Sequence, residues 1–268
     1  MTVESVIDRR VKPGVALAGP FLAIALLASC GGGSGGNDLS PPVVQDESPA
    51  GIWQGPITST IDSSATQVIG AVSANNDAQF VAAPIFERHY AGNLATAGNV
   101  LVGTLNLYRG KTGPFFGAGG LGSLNIDGTA VERTQLSADY TGDDEGLFSL
   151  SYVTSYEDAS SLALIAGTWL YSEPSAAGPL YTVTLDIDGA GAIFGTDSAG
   201  CVYSGQISLI DSAFNAYEAA FTVSECRLES GDYGGLGWIS SVDGGLQNLL
   251  TLGLNKDNRA FAASFLRL

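Results

Sequence analysis

The run Leu180-Tyr181-Thr182-Val183-Thr184-Leu185-Asp186-Ile187 decides the fold class of this chain. Its apolar and aromatic residues fall at every second position, which is the period of a β-strand with one buried face. Asp188-Gly189 follows and predicts a tight type I′ turn, because both central residues of that turn need positive φ. Ala192-Ile193-Phe194 can then return as the partner strand, so the whole stretch predicts a β-hairpin.

Similar runs, separated by Gly, Asn and Asp, fill the chain from residue 51 to its end. The clearest lie at residues 201–209, 216–223, 249–254 and 260–266. The exception is residues 158–165, where the acidic Asp158 precedes an apolar run that can start one short helix. The sequence therefore predicts an all-β protein.

An internal repeat divides this β region into two. Gly51-Ile52-Trp53 and Gly167-Thr168-Trp169 each open a strand run and lie 116 residues apart. About 25 residues after each tryptophan, a turn precedes a short strand that ends in an aromatic residue, Phe80 in the first copy and Phe194 in the second. We therefore expect two small antiparallel domains, each a β-barrel or β-sandwich, at residues 51–158 and 159–268.

Residues 1–29 have the features of a secretory signal peptide. Arg9, Arg10 and Lys12 precede an apolar stretch over residues 15–28, and small residues follow at the cleavage site. This stretch is shorter than the about 20 apolar residues that a membrane-spanning helix needs. It predicts export of the chain.

Leu27-Ala28-Ser29-Cys30 resembles the lipobox of bacterial lipoproteins. The resemblance implies cleavage before Cys30, acylation of that cysteine and a mature protein anchored to a membrane of the cell envelope by lipid. Because Gly31 follows the cysteine, the resemblance also implies sorting to the outer membrane. Residues 30–50 are rich in Gly, Ser, Pro, Asp and Glu, and we expect a flexible tether there.

The charge balance narrows the classes of partner. The chain has 27 acidic and 11 basic residues and a net charge of −16, with no basic patch, which argues against nucleic acid. The expected partners are the membrane, through the lipid anchor, and an envelope protein or a small apolar ligand.

The sequence offers little material for catalysis. His89, in Glu87-Arg88-His89-Tyr90, is the single histidine, and we expect it in a surface loop. One imidazole cannot supply a zinc site of His ligands, and no Gly-x-Ser-x-Gly elbow is present. Asp186-x-Asp188 and Asp143-Asp144-Glu145 are interpreted as turn residues rather than calcium ligands or paired catalytic carboxylates. No catalytic, metal or cofactor residue is predicted.

With Cys30 assigned to lipid, Cys201 and Cys226 remain as a pair. An exported protein meets an oxidising compartment, so a structural disulfide is expected between them. A redox or metal role is the alternative, but it lacks a Cys-x-x-Cys spacing.

Two further regions are candidate contact sites. Phe115 and Phe116 lie in the glycine-rich segment 110–122, and either they form an exposed patch for a partner or lipid, or one of them turns inward and fills the loop. Trp238, in Gly237-Trp238, is a candidate ligand or partner contact on a later strand.

The Gly-x-Trp motif resembles the entry strand of calycins, the lipocalin and avidin type of up-and-down barrel. The second copy, Gly167-Thr168-Trp169-Leu170 followed by Asp188-Gly189 and Phe194-Gly195-Thr196, is similar in layout to the start of an avidin-type barrel. The lipocalin resemblance implies a basic partner for Trp169, which would be Arg267. Three tryptophans in the whole chain do not support biotin binding.

The overall arrangement resembles a group of proteobacterial lipoproteins in which a lipobox and a glycine-rich tether precede two β modules. The residues that carry this resemblance are Asp197-Ser198-Ala199-Gly200-Cys201-Val202-Tyr203-Ser204-Gly205, Asn215-Ala216-Tyr217, Cys226 and Tyr233-Gly234-Gly235-Leu236. It implies location and architecture and supplies no activity.

The leading hypothesis is a membrane-anchored, non-catalytic lipoprotein that acts as an interaction or envelope-associated module. The alternative is a calycin-like barrel that binds a small apolar ligand in its interior, and an enzyme comes third. A cavity inside a barrel would favour the ligand binder. A filled barrel with an exposed Phe115-Phe116 patch would favour partner binding.

Overall fold

The computed structural model describes residues 47–82, 88–117, 121–173, 181–226, 228–242 and 247–268, which belong to one compact unit. The predicted signal peptide, Cys30 and most of the predicted tether lie outside the described residues. Within the described part, no helix has the length and apolar character to cross a membrane.

The first eight-stranded sheet is a closed antiparallel barrel, here called barrel one. Its strands are β1 (Gly51–Ser59), β2 (Ala65–Val72), β3 (Asp77–Ala82), β4 (His89–Ala97), β5 (Val100–Tyr108), β8 (Gly122–Val131), β9 (Gln135–Gly142) and β10 (Gly146–Val153). Each strand pairs with its neighbour in this order, and β1 closes the ring against β10 from Ile52↔Val153 to Ser59↔Gly146. Closure leaves barrel one without a free sheet edge.

A second eight-stranded antiparallel barrel, barrel two, follows. Its strands are β11 (Gly167–Glu173), β12 (Tyr181–Ile187), β13 (Ala192–Asp197), β14 (Val202–Leu209), β15 (Tyr217–Ser224), β16 (Gly231–Val242), β17 (Gln247–Lys256) and β18 (Arg259–Arg267). Pairing of β11 with β18 closes this ring. The all-β prediction with two antiparallel domains is therefore confirmed, and both domains are barrels rather than sandwiches.

The connection between the barrels contains a 3₁₀ helix (Thr154–Glu157) and a single helical turn, α1 (Leu162–Ile165). The expected short helix is present, but Asp158 does not cap it. Ser161 is the N-cap, and its side chain accepts a hydrogen bond from the backbone N–H of Leu164 at 3.3 Å. Ser161 stands directly before the helical turn, so its hydroxyl can reach the free N–H groups of that turn.

Apolar side chains of the described residues pack inside both barrels. Strand alternation directs one face of each strand inward, and these residues form a separate apolar core in each barrel. Trp53 and Trp169 are fully buried in the two cores, and each indole N–H donates to the carbonyl four residues earlier, Pro49 at 2.9 Å and Ile165 at 2.7 Å. The two copies of the repeat therefore build the same local structure.

The hairpin expected after residue 180 is formed by β12 and β13, but its turn differs from the expectation. The backbone N–H of Asp188 bonds to Ala192 O, and positive φ occurs at Gly191 (86°) rather than at the two expected central residues. The Asp188 carboxylate accepts the N–H groups of Ala190 and Ala192. The type I′ prediction was wrong because the Asp188 side chain and backbone together close a longer loop, in which Gly191 takes the positive φ.

A small hairpin between β5 and β8 leaves barrel one altogether. It consists of β6 (Lys111–Thr112) and β7 (Phe115–Phe116) around Gly113-Pro114. Strand β7 pairs with β18 of barrel two, with Phe115 opposite Phe261 and Phe116 opposite Ala260. The hairpin therefore extends the wall of barrel two beside the short β11–β18 junction.

Gly113 explains how the turn of this hairpin fits. Its φ of 58° lies in the left-handed region that glycine adopts without steric cost. A Cβ there would lie 2.9 Å from the ring of Tyr181 on β12, so the turn packs directly on barrel two. Pro114 O also accepts the backbone N–H of Ala262 at 2.9 Å.

Candidate functional site

The barrels meet along an apolar interface, here called the seam. Its buried residues are Ile52, Ala71, Val81, Ala91, Tyr108, Phe116, Tyr156, Ala216, Leu236, Trp238, Ala260 and Ala262. Many of them are alanines, which allow the two sheets to approach closely. Gly253 on β17 serves the same end, because a Cβ there would lie 3.3 Å from Cε1 of His89.

His89 lies at this seam, and the expectation of a surface loop was wrong. It is the first residue of β4 and has no exposed surface. Its Nε2 lies 2.7 Å from Oε1 of Gln79, and Nε2 of Gln79 donates to Oδ1 of Asn255 on β17 at 2.8 Å. A chain of three polar side chains thus crosses from barrel one to barrel two.

The direction of the hydrogen bonds from His89 through Gln79 to Asn255 sets the tautomer of His89. Because Oε1 of Gln79 can only accept, Nε2 of His89 carries the proton and Nδ1 carries a lone pair. Among the described residues, Nδ1 is buried without a hydrogen-bond partner. Burial lowers the pKa of His89 to about 3, since the site disfavours the charged imidazolium. The histidine is therefore a neutral structural residue of the seam.

A cleft of about 480 Å³ opens beside this chain, and we call it the polar cleft. Its walls are formed by Ser73, Asn75, Asp77, Gln79, Gly92, Asn93 and Thr104 of barrel one and by Ile210, Glu218, Gly234, Gly235, Leu236 and Asn255 of barrel two. Strand register places Asp77 beside Asn93, and Asn93 beside Thr104, as a polar row across β3, β4 and β5. On the opposite wall, Gly234 pairs with Asn255.

A second cleft, of about 560 Å³, also lies between the barrels. Ile69, Leu164, Tyr217 and Ile239 contribute apolar or aromatic surface to it. Asn215 lies in the wall of this cleft, but its side-chain amide already forms hydrogen bonds with the protein. Its Nδ2 donates to Ile239 O at 2.7 Å, and its Oδ1 accepts the N–H of Ile239 at 3.0 Å. Both clefts lie between the barrels and outside their cores.

Phe115 and Phe116 do not form an exposed patch. Phe115 is 5% exposed and enters the core of barrel two, with ring centroids 5.3 Å from Phe261 and 5.9 Å from Tyr233. Phe116 is fully buried at the seam, 5.9 Å from the ring of His89. Both rings therefore pack inward and form no exposed patch, because the hairpin that carries them docks on the neighbouring barrel.

Trp238 also lies at the seam, with 1% of its surface exposed. It projects from the outer face of barrel two and packs against barrel one, so it faces neither a barrel interior nor solvent. Among the described residues its Nε1 has no hydrogen-bond partner.

The disulfide between Cys201 and Cys226 is formed and closes a loop with a sequence separation of 25 residues. The Asp197 carboxylate lies within 4.8 Å of both sulfur atoms. It accepts hydrogen bonds from Tyr203 Oη and from the N–H groups of Ala199 and Cys201. Because the sulfurs are bonded to each other, they do not offer thiolates to a metal, and Asp197 has a structural role in this turn.

The acidic segment Asp143-Asp144-Glu145 links β9 to β10. Asp144 is 4% exposed, accepts from Ser59 Oγ at 2.7 Å and pairs with Arg109 at 3.2 Å. These bonds hold the end of barrel one together, as the turn interpretation of this segment expects.

Compared with known proteins, the chain matches no family model, no curated protein and no solved structure. Its function therefore has to be inferred from the chemistry of the seam and of the two clefts beside it.

Proposed function

We propose that this protein is a lipid-anchored, non-catalytic module of the bacterial envelope that binds its partner between its two barrels and outside their interiors. The observation that carries the binding part is that the described side chains form an apolar core inside each barrel, whereas clefts of about 480 and 560 Å³ lie between the barrels. Clefts of about 300 to 1,000 Å³ are the usual size of ligand sites.

The lipid anchor rests on the sequence. Leu27-Ala28-Ser29-Cys30 and the tether after it support attachment through Cys30, and Gly31 supports the outer membrane as the destination. A tether of about 20 flexible residues reaches about 25 Å, which is enough to hold the barrels clear of lipid headgroups.

Replacing Cys30 tests the anchor. Cys30→Ala should abolish incorporation of labelled palmitate and leave the protein unprocessed or released from the membrane, whereas Cys226→Ser should keep the label because that cysteine belongs to the disulfide. Equal labelling of wild type and Cys30→Ala would refute the anchor.

A photocrosslinking amino acid tests where the partner binds. We expect a crosslink to an envelope component from position Glu218, which lines the polar cleft, and none from position Phe194, which is 60% exposed on the outside of barrel two. Equal crosslinking at both positions would mean that the seam has no special role.

The second candidate is a calycin-like barrel that binds a small apolar ligand inside barrel two. It is favoured by the docked hairpin, because withdrawal of Phe115 would expose a core lined by Tyr203, Tyr233 and Phe261. Aromatic linings of this kind suit apolar ligands. Native mass spectrometry of protein purified from its own envelope should then show a bound small apolar molecule. Phe115→Ala should change the amount of that molecule that stays bound to the protein.

A further inference from the structure

We propose that the polar cleft binds a neutral, hydroxyl-rich ligand, a mono- or disaccharide unit. This inference rests on the proposed binding role and adds the chemical class of the ligand.

The charge of the lining excludes anions. Asp77 and Glu218 contribute carboxylates from the two opposite walls, and none of the described lining residues is Lys, Arg or His. Phosphates and carboxylates would be repelled by such walls, the more so in a chain with a net charge of −16.

The uncharged groups match sugar hydroxyls. Four amide side chains line the cleft, those of Asn75, Gln79, Asn93 and Asn255. Each amide offers both donors and an acceptor, which is the combination that a hydroxyl group also presents. Among the described residues, no hydrogen bond occupies the side chains of Asn75, Asn93 or Glu218, so they are available to a ligand.

The interior of the cleft is held rigidly. Gln79 is 3% exposed and is fixed at both ends of its amide by His89 and Asn255. Because the hydrogen bonds from His89 through Gln79 to Asn255 join the two barrels, they also fix the distance between the two walls of the cleft. A site whose polar groups are already oriented loses less entropy when a ligand binds.

Gly234 leaves one wall open. A Cβ at this position would meet no atom within 4 Å, so the space above it is empty. Gly92 and Gly235 also line the cleft, but a Cβ there would lie 2.1 Å from Thr104 O and 2.3 Å from Gly253 O. Gly234 is therefore the position where a side chain can fill the cleft without disturbing the strands.

The test uses the full processed chain and two glycine variants. Gly234→Leu places a side chain in the cleft, and Gly189→Leu is the matched control, since a Cβ at Gly189 also meets nothing within 4 Å but lies in the β12–β13 turn. Maltose and di-N-acetylchitobiose serve as saccharide probes, with spermidine as a cationic probe and inorganic phosphate as an anionic probe. Binding is followed by chemical-shift changes of backbone amides.

We expect at least one saccharide to shift the amides of Asn93, Gly234 and Asn255. Gly234→Leu should weaken that binding by about tenfold or more, because the ligand would have to displace the leucine, and Gly189→Leu should leave it unchanged. Asn93→Ala should also weaken binding while the melting temperature stays the same.

Three outcomes overturn the inference. Binding of spermidine alone would assign the cleft to cations. Saccharide binding that survives Gly234→Leu would place the site elsewhere. A crosslinked envelope protein at Glu218 without any saccharide response would keep the proposed function and refute the ligand class.

Discussion

The two barrels share a strand order but differ in how the last strand meets the first. In barrel one, β10 runs along β1 from Ile52↔Val153 to Ser59↔Gly146. In barrel two, the described residues join β18 to β11 at two pairs, Trp169↔Arg267 and Leu170↔Leu266. Further along β18, its pairing partner is β7, which barrel one supplies. Two copies of one repeat therefore need not be independent, because a short closure can be completed by a neighbour.

The tryptophans on the first strands, Trp53 and Trp169, also differ in the residue that lies opposite them on the closing strand. Trp53 has Tyr152 as its cross-strand partner, with the rings edge to face at 5.3 Å. Trp169 has Arg267 in the equivalent place, with the guanidinium 5.6 Å from the ring centroid. Trp169 is therefore covered by a basic residue, whereas barrel one has an aromatic residue in the equivalent place.

Separating the barrels should give the largest effect. A fragment of residues 160–268 lacks the β6–β7 hairpin and the Phe115 ring, so we expect no cooperative thermal unfolding. A fragment of residues 47–159 keeps its complete β1–β10 closure and should unfold cooperatively, though at a lower temperature than the full chain. Cooperative unfolding of 160–268 by itself would show that the hairpin is dispensable.

Phe115→Ala should destabilise barrel two, although Phe115 lies in the segment that connects β5 and β8 of barrel one. Removing a buried aromatic ring costs about 3 to 5 kcal/mol, and amide exchange should accelerate first in β17 and β18. Phe148→Ala is the matched control, because Phe148 lies in the core of barrel one and packs on Phe80. If Phe115→Ala accelerates exchange mainly in barrel one, the hairpin does not support barrel two in solution.

The seam should weaken in acid. Burial lowers the pKa of His89 to about 3, so the unfolded chain, in which its pKa is near the ordinary 6.5, binds a proton more readily. The stability contributed by neutral His89 is complete above pH 6.5 and falls by about 1.4 kcal/mol per pH unit as the pH drops from 6.5 towards 3.

Urea unfolding at several pH values measures this loss. His89→Gln keeps a donor for Gln79 but does not titrate, so its unfolding free energy should fall less steeply with acid than that of the wild type. Parallel pH profiles for the two proteins would mean that His89 is accessible to protons in the folded state.

Exchanging the partners of the two tryptophans should give the smallest effect. Arg267 donates to the carbonyls of Leu164 and Ala166, but it is exposed, and an exposed cation–π contact contributes about 0.5 to 1 kcal/mol. Arg267→Tyr copies barrel one and should lower the melting temperature of the full chain only slightly. Arg267→Ala should lower it more, and a larger loss for Arg267→Tyr would show that the two closures are not equivalent.

Much of the fold could be predicted from local patterns. Alternation of apolar residues identified the strands, and the spacing of the Gly-x-Trp motifs identified two β domains. The repeat was less informative in detail. Phe80 is buried in the core of barrel one, whereas Phe194 is 60% exposed, because a shift of one residue turns a strand side chain to the opposite face.

The seam was missed, although two strands carried a signal. In β3, residues 78–82 are all buried, and in β18, residues 260–263 are all buried, so both faces of these strands are covered. Continuous apolar runs are typical of strands covered on both sides, and residues 260–263 form such a run, whereas Gln79 interrupts the run in β3. They indicate a covering surface without identifying it, so Gln79, Asn255 and the polar cleft could not be derived from them.

The sequence by itself determined the all-β class, the two strand sets and the pairing of Cys201 with Cys226, because these depend on alternation, turn residues and cysteine number along one stretch of chain. Only the tertiary structure decided that Phe115 enters the opposite barrel, that His89 is buried and that a polar cleft forms between the barrels. Those outcomes depend on which outer faces come together. The alternation of apolar and polar residues distinguishes the two faces of a strand, but it does not identify which surface will cover the outer face.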